Sequence, residues 1–446
     1  MVEAAKSATA AKRAAEVAST SELVGEERGA TAVPGSLRIL IVALNYAPEL
    51  VGCAKYTAEL AEALVAGGHK VEVVCAPPYY PAWKIKEGYS GSTWGREDIN
   101  GVKVNRTPLY VPSKVSGLSR ILHLASFGAS TFPAAVAVAL RFKPDLVFTV
   151  APSLTSSISA LVAAKISGAR SWLHIQDFEV DAAFELGLLK SRAGRSIALA
   201  AERMLFRSFD RLSTISTAMV SLLLRKGVAA NKVIELRNWV DVEGTPRLRS
   251  SNTMYRAELA LGEADIVALY SGNMAAKQGI ELLADVAREV AARDPRIKFI
   301  FCGEGPAREK LLEACSGMGN VSFLPLQPLD RLAELLGTAD IHLLPQRPEA
   351  ADLVLPSKLT GMLASGRPVV AMAEAGSGLA DEIHGCGVAV EASASSMAEA
   401  IIQLARDPVQ REVLGSAARA RAELAWSKKH IMKSFVENFR RLKGAR

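Results

Sequence analysis

One construction occurs twice in this chain, about 230 residues apart, and it restricts the fold more than any other feature. A continuous apolar run leads into a glycine-bearing turn, and the turn opens a helical pattern. The first copy is Arg38-Ile39-Leu40-Ile41-Val42-Ala43-Leu44, then a turn from Asn45 to Gly52, then a helix expected over 56–66. The second is Ile266-Val267-Ala268-Leu269-Tyr270, then Ser271 to Gly279, then a helix over 280–291. A strand feeding a glycine turn and a helix N-terminus gathers backbone N–H groups into a cradle suited to phosphate or sugar oxygens. Two such units predict an α/β chain of two Rossmann-like, doubly wound domains facing each other across a cleft.

The rest of the chain repeats the alternation. Short apolar runs at 71–76, 102–107, 146–150, 171–175, 211–215 and 233–236 read as strands of a sheet covered on both faces. A second series lies at 266–270, 298–302, 321–324, 341–344, 368–372 and 388–390, with helical patterns between. The stretch 121–140 is apolar enough for a membrane span, but His123, several Ser and Thr, and Pro133 favour a buried or surface-lying helix. Residues 238–252, with Gly244 and Pro246, read as a linker. The expected divisions are an Ala-, Ser- and Glu-rich disordered extension over 1–36, an N-terminal domain over 37–242, a C-terminal domain over 243–427 and a final amphipathic helix over 428–446.

Composition excludes several classes. Five scattered cysteines without a CxxC pair argue against a disulfide framework or zinc site, and the six histidines form no HExxH, so no metal is expected. The first turn is not GxGxxG, which disfavours a nicotinamide enzyme. The extension lacks the apolar core of a signal peptide, so a cytoplasmic protein is expected. Residues 37–242 hold 24 basic and 16 acidic side chains, residues 243–427 hold 18 and 24, and the last 19 hold 7 and 1. A basic front half and tail suit an anionic membrane surface, with Arg203, Arg207 and Arg211 expected on one helix face; no nucleic-acid partner is expected.

Five stretches carry candidate chemistry. Gly52 ahead of Tyr56 lets a hydroxyl-rich ligand approach the first helix. Ser271-Gly272-Asn273-Met274-Ala275-Ala276-Lys277-Gln278-Gly279 sets a lysine before a helix, where a cation meets a departing diphosphate. Cys302-Gly303-Glu304-Gly305-Pro306 is a second close-approach turn, and Leu355-Pro356-Ser357-Lys358-Leu359 has a serine placed to cap a helix whose first amides would face an anion. Asp352, just upstream, is a candidate for sugar hydroxyls. His174, Asp177, Glu179 and Asp181 follow a strand at its carboxyl end, where open sheets bind ligands.

Taken in order, the late-glycine turn, His174-Ile175-Gln176-Asp177, the Gly272-Asn273 to Lys277-Gln278-Gly279 turn, Gly303-Glu304-Gly305-Pro306 and Pro356-Ser357-Lys358-Leu359 resemble the family 4 retaining glycosyltransferases of the GT-B fold. Asn45-Tyr46-Ala47-Pro48-Glu49, Ala76-Pro77-Pro78-Tyr79-Tyr80-Pro81, Leu109-Tyr110-Val111-Pro112 and the run from Pro356 through Gly361-Met362-Leu363-Ala364-Ser365-Gly366 to Val370 are similar to the colanic acid biosynthesis glycosyltransferases of the fucosyltransferase type. The resemblance implies transfer of fucose or another hexose from a nucleotide sugar, a GDP-sugar by preference, to a polyprenyl-diphosphate-linked acceptor, with no other cofactor. It implies catalytic roles for Lys277, His174 and Asp177. Donor contacts would come from Gly272, Asn273, Gly303, Glu304, Gly305, Asp352, Ser357, Lys358 and Leu359, and acceptor contacts from Gly52, Tyr56 and Glu179. The paired glutamates of the wider family would fall at Leu353 and Gly361, and its donor-turn arginine at Asn273, so the chain departs from the pattern there. An epimerase of the same fold, or a nucleotide-sugar-binding assembly protein without catalysis, remains open at this point.

Overall fold

The computed structural model describes residues 35–49, 52–114, 116–179, 192–274, 278–346 and 356–444. The expected disordered extension falls almost entirely outside them. In the first half the elements are β1 (Arg38–Ala43), α1 (Cys53–Ala66), β2 (Lys70–Cys75), β3 (Gly95–Ile99), β4 (Val102–Arg106), α2 (Gly117–Phe142), β5 (Leu146–Ala151), α3 (Leu154–Ser167), β6 (Arg170–Ile175), α4 (Arg192–Ser208), β7 (Arg211–Thr214), α5 (Thr217–Arg225) and β8 (Val233–Glu235). The second half holds α6 (Met254–Glu258), β9 (Ile266–Ser271), α7 (Leu283–Arg293), β10 (Ile297–Cys302), α8 (Arg308–Ala314), β11 (Val321–Leu324), α9 (Leu332–Thr338), β12 (Ile341–Leu344) and α10 (Lys358–Ala364). It continues through β13 (Val369–Met372), α11 (Gly378–Ile383), β14 (Gly387–Val390), α12 (Ala394–Arg406), α13 (Pro408–Ala425) and α14 (Lys428–Gly444). Arg211 opens β7 instead of extending α4, so the expected helix face of three arginines is not formed.

Two sheets result, ordered β3-β4-β2-β1-β5-β6-β7-β8 and β11-β10-β9-β12-β13-β14. All pairings are parallel except β3 with β4, a hairpin turned at Asn100 and Gly101, both with positive φ. The apolar runs become strands because both faces are covered; every residue of β5 is buried. In each sheet the order reverses beside the first strand, between β1 and β5 and between β9 and β12. A crevice opens at such a switch point, at the carboxyl ends of the strands.

The chain crosses between the lobes twice, side by side. Val240 pairs with Ser427, donates its N–H to the Trp426 carbonyl at 2.9 Å and accepts from the Lys428 N–H at 3.2 Å. Beyond that point α14 packs onto the first lobe. Ile431, Phe435, Phe439 and Leu442 enter the core formed by β1, β2 and β5, and Phe435 stacks on Trp172 at 4.9 Å. Burying each of these aromatics contributes roughly 1.5–3 kcal/mol. Ala218, after the carboxyl end of β7, lies 3.8 Å from the Cβ position of Gly378, after the carboxyl end of β13. The carboxyl edges of the two sheets therefore confront each other, and the cleft lies between them.

Candidate functional site

On the second lobe, the ends of β9 and β10 are laced together through their backbones. The Gly272 N–H donates to the Cys302 carbonyl at 3.0 Å, the Met274 N–H to Glu304 at 2.8 Å, and the Ala307 N–H to Met274 at 2.9 Å. The lacing leaves no room for side chains. A Cβ on Gly303 would fall 2.0 Å from the Gly272 carbonyl oxygen, and one on Gly305 would fall 2.6 Å from the Met274 oxygen. Both glycines also have positive φ, which L side chains avoid. Gly272, Asn273, Gly303 and Gly305 thus form one contiguous floor. Glu304 is exposed and reaches Arg308 at 3.8 Å.

Lys358 comes from the other side of the switch point. It follows β12 in the chain, begins α10, and extends over the β9 end, with its Cδ 3.2 Å from the Cβ position of Gly272. Nζ donates to the Tyr270 hydroxyl at 3.0 Å and sits 4.3 Å from that ring's centroid. The tyrosine in turn donates to the Asn273 carbonyl at 2.7 Å. Burial pushes the Lys358 ammonium down to about 7. A cation beside a glycine floor at a switch point is a site for the phosphates of a nucleotide.

Other donor-side expectations change. Ser357 is exposed, has helical dihedrals and makes no side-chain cap. The Leu359 side chain is buried and its amide donates to the Pro356 carbonyl at 2.9 Å, because the chain enters α10 through a tight turn. Phosphate contact through the Leu359 amide is therefore not available in this arrangement. Lys277 and Asp352 lie outside the described residues.

The first lobe divides its candidates into two groups. Gly52 has φ +58, opens α1 and has nothing within 4 Å of its Cβ position. Asp177 and Glu179 lie near it, since both add to the burial that pushes the neighbouring Cys53 thiol up to about 12. Glu179 accepts from the Leu154 N–H at 2.7 Å at the start of α3, and burial holds its carboxyl above the usual range. Gly52, Asp177 and Glu179 thus gather around the β1–β5 switch point.

His174 and Tyr56 do not join them. His174 is buried, stacks on Phe148 at 5.8 Å, and has Nδ1 2.9 Å from the Ser213 hydroxyl and Nε2 3.1 Å from Gln176 Nε2. Its environment pushes it down to about 3, so it is a neutral core residue and does not border a sugar. Gln176 carries the network outward by exchanging two hydrogen bonds with Asn238 at 2.9 and 3.0 Å. Tyr56 is buried edge-to-face on Trp239 at 5.3 Å and serves packing rather than acceptor contact.

Two features escape sequence reading. Tyr270 positions Lys358 across 88 residues of chain. Buried Glu49 accepts from the Tyr79 and Tyr80 N–H groups, each at 2.7 Å, and from Asn45 Nδ2 at 2.9 Å, tying the loop after β1 to the loop after β2. The Asn45–Glu49 string, which holds the glutamate, and the Pro77–Pro81 string, which holds its two tyrosine partners, were the available signal. Beside it lies a cavity of about 700 Å³ lined by Pro48, Tyr79, Tyr80 and Ile85, with Lys84 and Lys86 among its walls.

Comparison with known proteins agrees with this architecture. Residues 51–239 match the glycosyl transferase 4-like domain and residues 265–407 match the glycosyl transferases group 1. WcaI of Escherichia coli K12, assigned as a colanic acid biosynthesis glycosyl transferase, is 39% identical over 91% of this chain and 100% of its own length. A D-inositol 3-phosphate glycosyltransferase of Rhodococcus opacus is 28% identical over 54% of this chain and 55% of its own. In fold, the chain is similar to sucrose-phosphate synthase of Thermosynechococcus elongatus, with a TM-score of 0.70 and 18% identity, covering 92% of this chain and 100% of that one. Anabaena HepE in complex with UDP-glucose gives 0.63 at 15% identity, with 91% and 100% covered.

Proposed function

The chain belongs to the GT-B glycosyltransferases that join a glycosyl transferase 4-like domain to a group 1 domain, and we propose that it moves a hexose from a nucleotide-diphosphate donor to a lipid-linked oligosaccharide. The observation that carries this reading is the Lys358 ammonium, held by Tyr270 over the Gly272–Gly303 floor at the β9–β12 switch point. There it balances the diphosphate as the glycosidic bond breaks, the moment at which charge stabilisation lowers the barrier. Lys277, five residues after Gly272 in the sequence, is the candidate for a second cation. The acceptor hydroxyl attacks from the first lobe with retention of configuration, and Asp177 is the candidate to border the reacting sugar. The cavity beside Glu49, largely apolar and carrying Lys84 and Lys86 along with Glu49 and Glu87, is the candidate seat for the lipid end of the acceptor.

The full-length likeness to WcaI supports a place in exopolysaccharide assembly. A GDP-sugar donor and a fucosyl product follow the motif resemblance. A basic first half extended by the basic tail supports work on the inner face of the plasma membrane, from the cytoplasm. A panel of radiolabelled GDP-fucose, GDP-mannose and UDP-sugars, offered with membrane lipid extract, tests the reading. Label entering the lipid phase with the donor's anomeric configuration is expected, as is a Lys277→Ala variant that loses turnover far more than donor affinity. Donor binding with neither transfer nor hydrolysis would instead indicate a binding protein, and release of an altered sugar nucleotide without acceptor would indicate an epimerase.

A further inference from the structure

The helix α2 carries large apolar side chains on the face turned away from the core. Its inner face is built from small residues where α3 crosses it. A Cβ on Gly128 would fall 2.8 Å from Thr155 Cβ, Thr155 Oγ1 donates to the Leu124 carbonyl at 2.8 Å, and Ser159 Oγ to that of Gly128 at 3.3 Å. The inner face is also anchored: buried His123 has Nδ1 2.6 Å from the Tyr110 carbonyl and Nε2 3.0 Å from the Tyr79 hydroxyl. Phe127 and Val138 are buried there as well, yet five large apolar side chains point the other way. Leu118, Leu122, Phe132 and Leu140 are 70%, 51%, 44% and 58% exposed. With Ile121 they fall within about 100° of the helix circumference along roughly 33 Å of axis. Ile158 of α3 is likewise exposed.

We propose that this outer face of α2 lies in the surface of an anionic lipid bilayer, helix axis along the plane. Length and composition alone would let α2 span a membrane, but the anchored inner face ties it to the sheet, leaving one stripe for lipid. Charge selects the occupant. Between Ile99 and Gln176 the chain holds one acid, Asp145, against eight lysines and arginines, of which Arg106 pairs with Glu97, Arg141 with Glu72 and Arg170 with Asp210, leaving a basic excess carried by lysines and Arg120. Asp145 is already matched by Lys443 at 2.9 Å. Lys114 and Arg120 stand at one end of the stripe and Lys143 at the other, where they meet acidic headgroups, while Arg141 is held by Glu72. Exposed Trp94 flanks the helix and donates Nε1–H to the Ser130 carbonyl at 3.4 Å, a placement suited to the interfacial depth that tryptophan favours. The inference rests on the proposed function only in that a lipid-carried acceptor brings the enzyme to the bilayer.

Co-sedimentation of the full chain with vesicles of phosphatidylglycerol and phosphatidylcholine, free of acceptor lipid, tests the placement. The native chain should bind, with a blue shift of tryptophan emission that Trp94→Phe removes. The Leu118→Gln, Leu122→Gln, Phe132→Gln triple variant should lose at least tenfold in bound fraction while keeping its circular dichroism melt, since all three side chains are exposed. Pure phosphatidylcholine should bind at least tenfold less. Undiminished binding by the triple variant would overturn the proposal. So would a native dimer that the triple variant dissociates and that ignores vesicles, because a second copy would then cover the stripe. Transfer to a soluble short-chain acceptor separates the two readings: transfer without vesicle binding defeats the docking surface alone, and vesicle binding without transfer defeats the enzymatic reading alone.

Discussion

Lys358 makes donor binding a proton-coupled event. In the free protein its ammonium sits against the Tyr270 ring and is pushed down to about 7. A diphosphate placed beside it favours the charged form and restores the pKa toward the ordinary value near 10.4. Between pH 7 and pH 9 the free protein loses that proton while the complex keeps it. The dissociation constant for a nucleoside diphosphate should then rise about fivefold from pH 7 to 8 and about ninefold from pH 8 to 9, or about 50-fold overall, equivalent to roughly 2.3 kcal/mol. At pH 8 binding should take up about 0.9 proton. Titration calorimetry in HEPES and in Tris at the same pH reads this number from the difference in apparent enthalpy. Lys358→Arg, with a charge that persists through this range, should flatten the profile, and Lys358→Met should bind weakly at every pH. The same shift acts on stability with a definite sign. Between about 7 and 10.4 the unfolded chain binds more protons at this residue than the folded one, so its contribution to unligated stability rises with pH. Identical enthalpies in the two buffers, with affinity unchanged from pH 6.5 to 9, would refute the reasoning.

Three structural predictions accompany it. Gly303→Ala should cost about 3 kcal/mol or more and abolish donor binding, because its Cβ would meet the Gly272 oxygen at 2.0 Å; Gly317→Ala, with open space and φ +78, should cost only about 1–2 kcal/mol by chemical denaturation. Phe435→Ala should remove about 3–5 kcal/mol by leaving a void against Trp172 and Phe148, seen as a lower denaturation midpoint. Lys226→Met should cost about 3–5 kcal/mol, since Glu202, only 1% exposed, loses the ammonium that meets it at 2.6 Å, and the loss should shrink when Glu202 is replaced by Gln as well.

The strands were readable because runs such as Leu146–Ala151 are apolar throughout and buried on both faces. β3 was not, because Gly-Arg-Glu-Asp-Ile is charged and its strand is a sheet edge. Its hairpin signal, Asn100-Gly101 ahead of Val102, was nevertheless present. α13 is nearly uniform in polarity, so periodicity does not reveal it, although Asp407 capping Gln410 with Pro408 at the first turn marks its start. At the site, the glycine turns announce themselves through backbone geometry that few residues satisfy. Tyr270 does not, since its partner lies 88 residues away and only the β9–β12 pairing brings them together. His174 misled for the opposite reason: nearby acids in sequence suggested chemistry, whereas Ser213, Gln176 and Phe148 close around it in space.

On the proposed reading, the second lobe holds an activated sugar by its diphosphate and surrenders the sugar to a lipid-borne hydroxyl. Incubating purified protein with a GDP-sugar labelled in the sugar, together with polyprenyl-diphosphate oligosaccharide, measures this in one step. Label is expected in the organic phase, dependent on acceptor and reduced at least 100-fold by Lys358→Met. Label that stays in the aqueous phase across the whole donor panel, or transfer indifferent to Lys358, would contradict it.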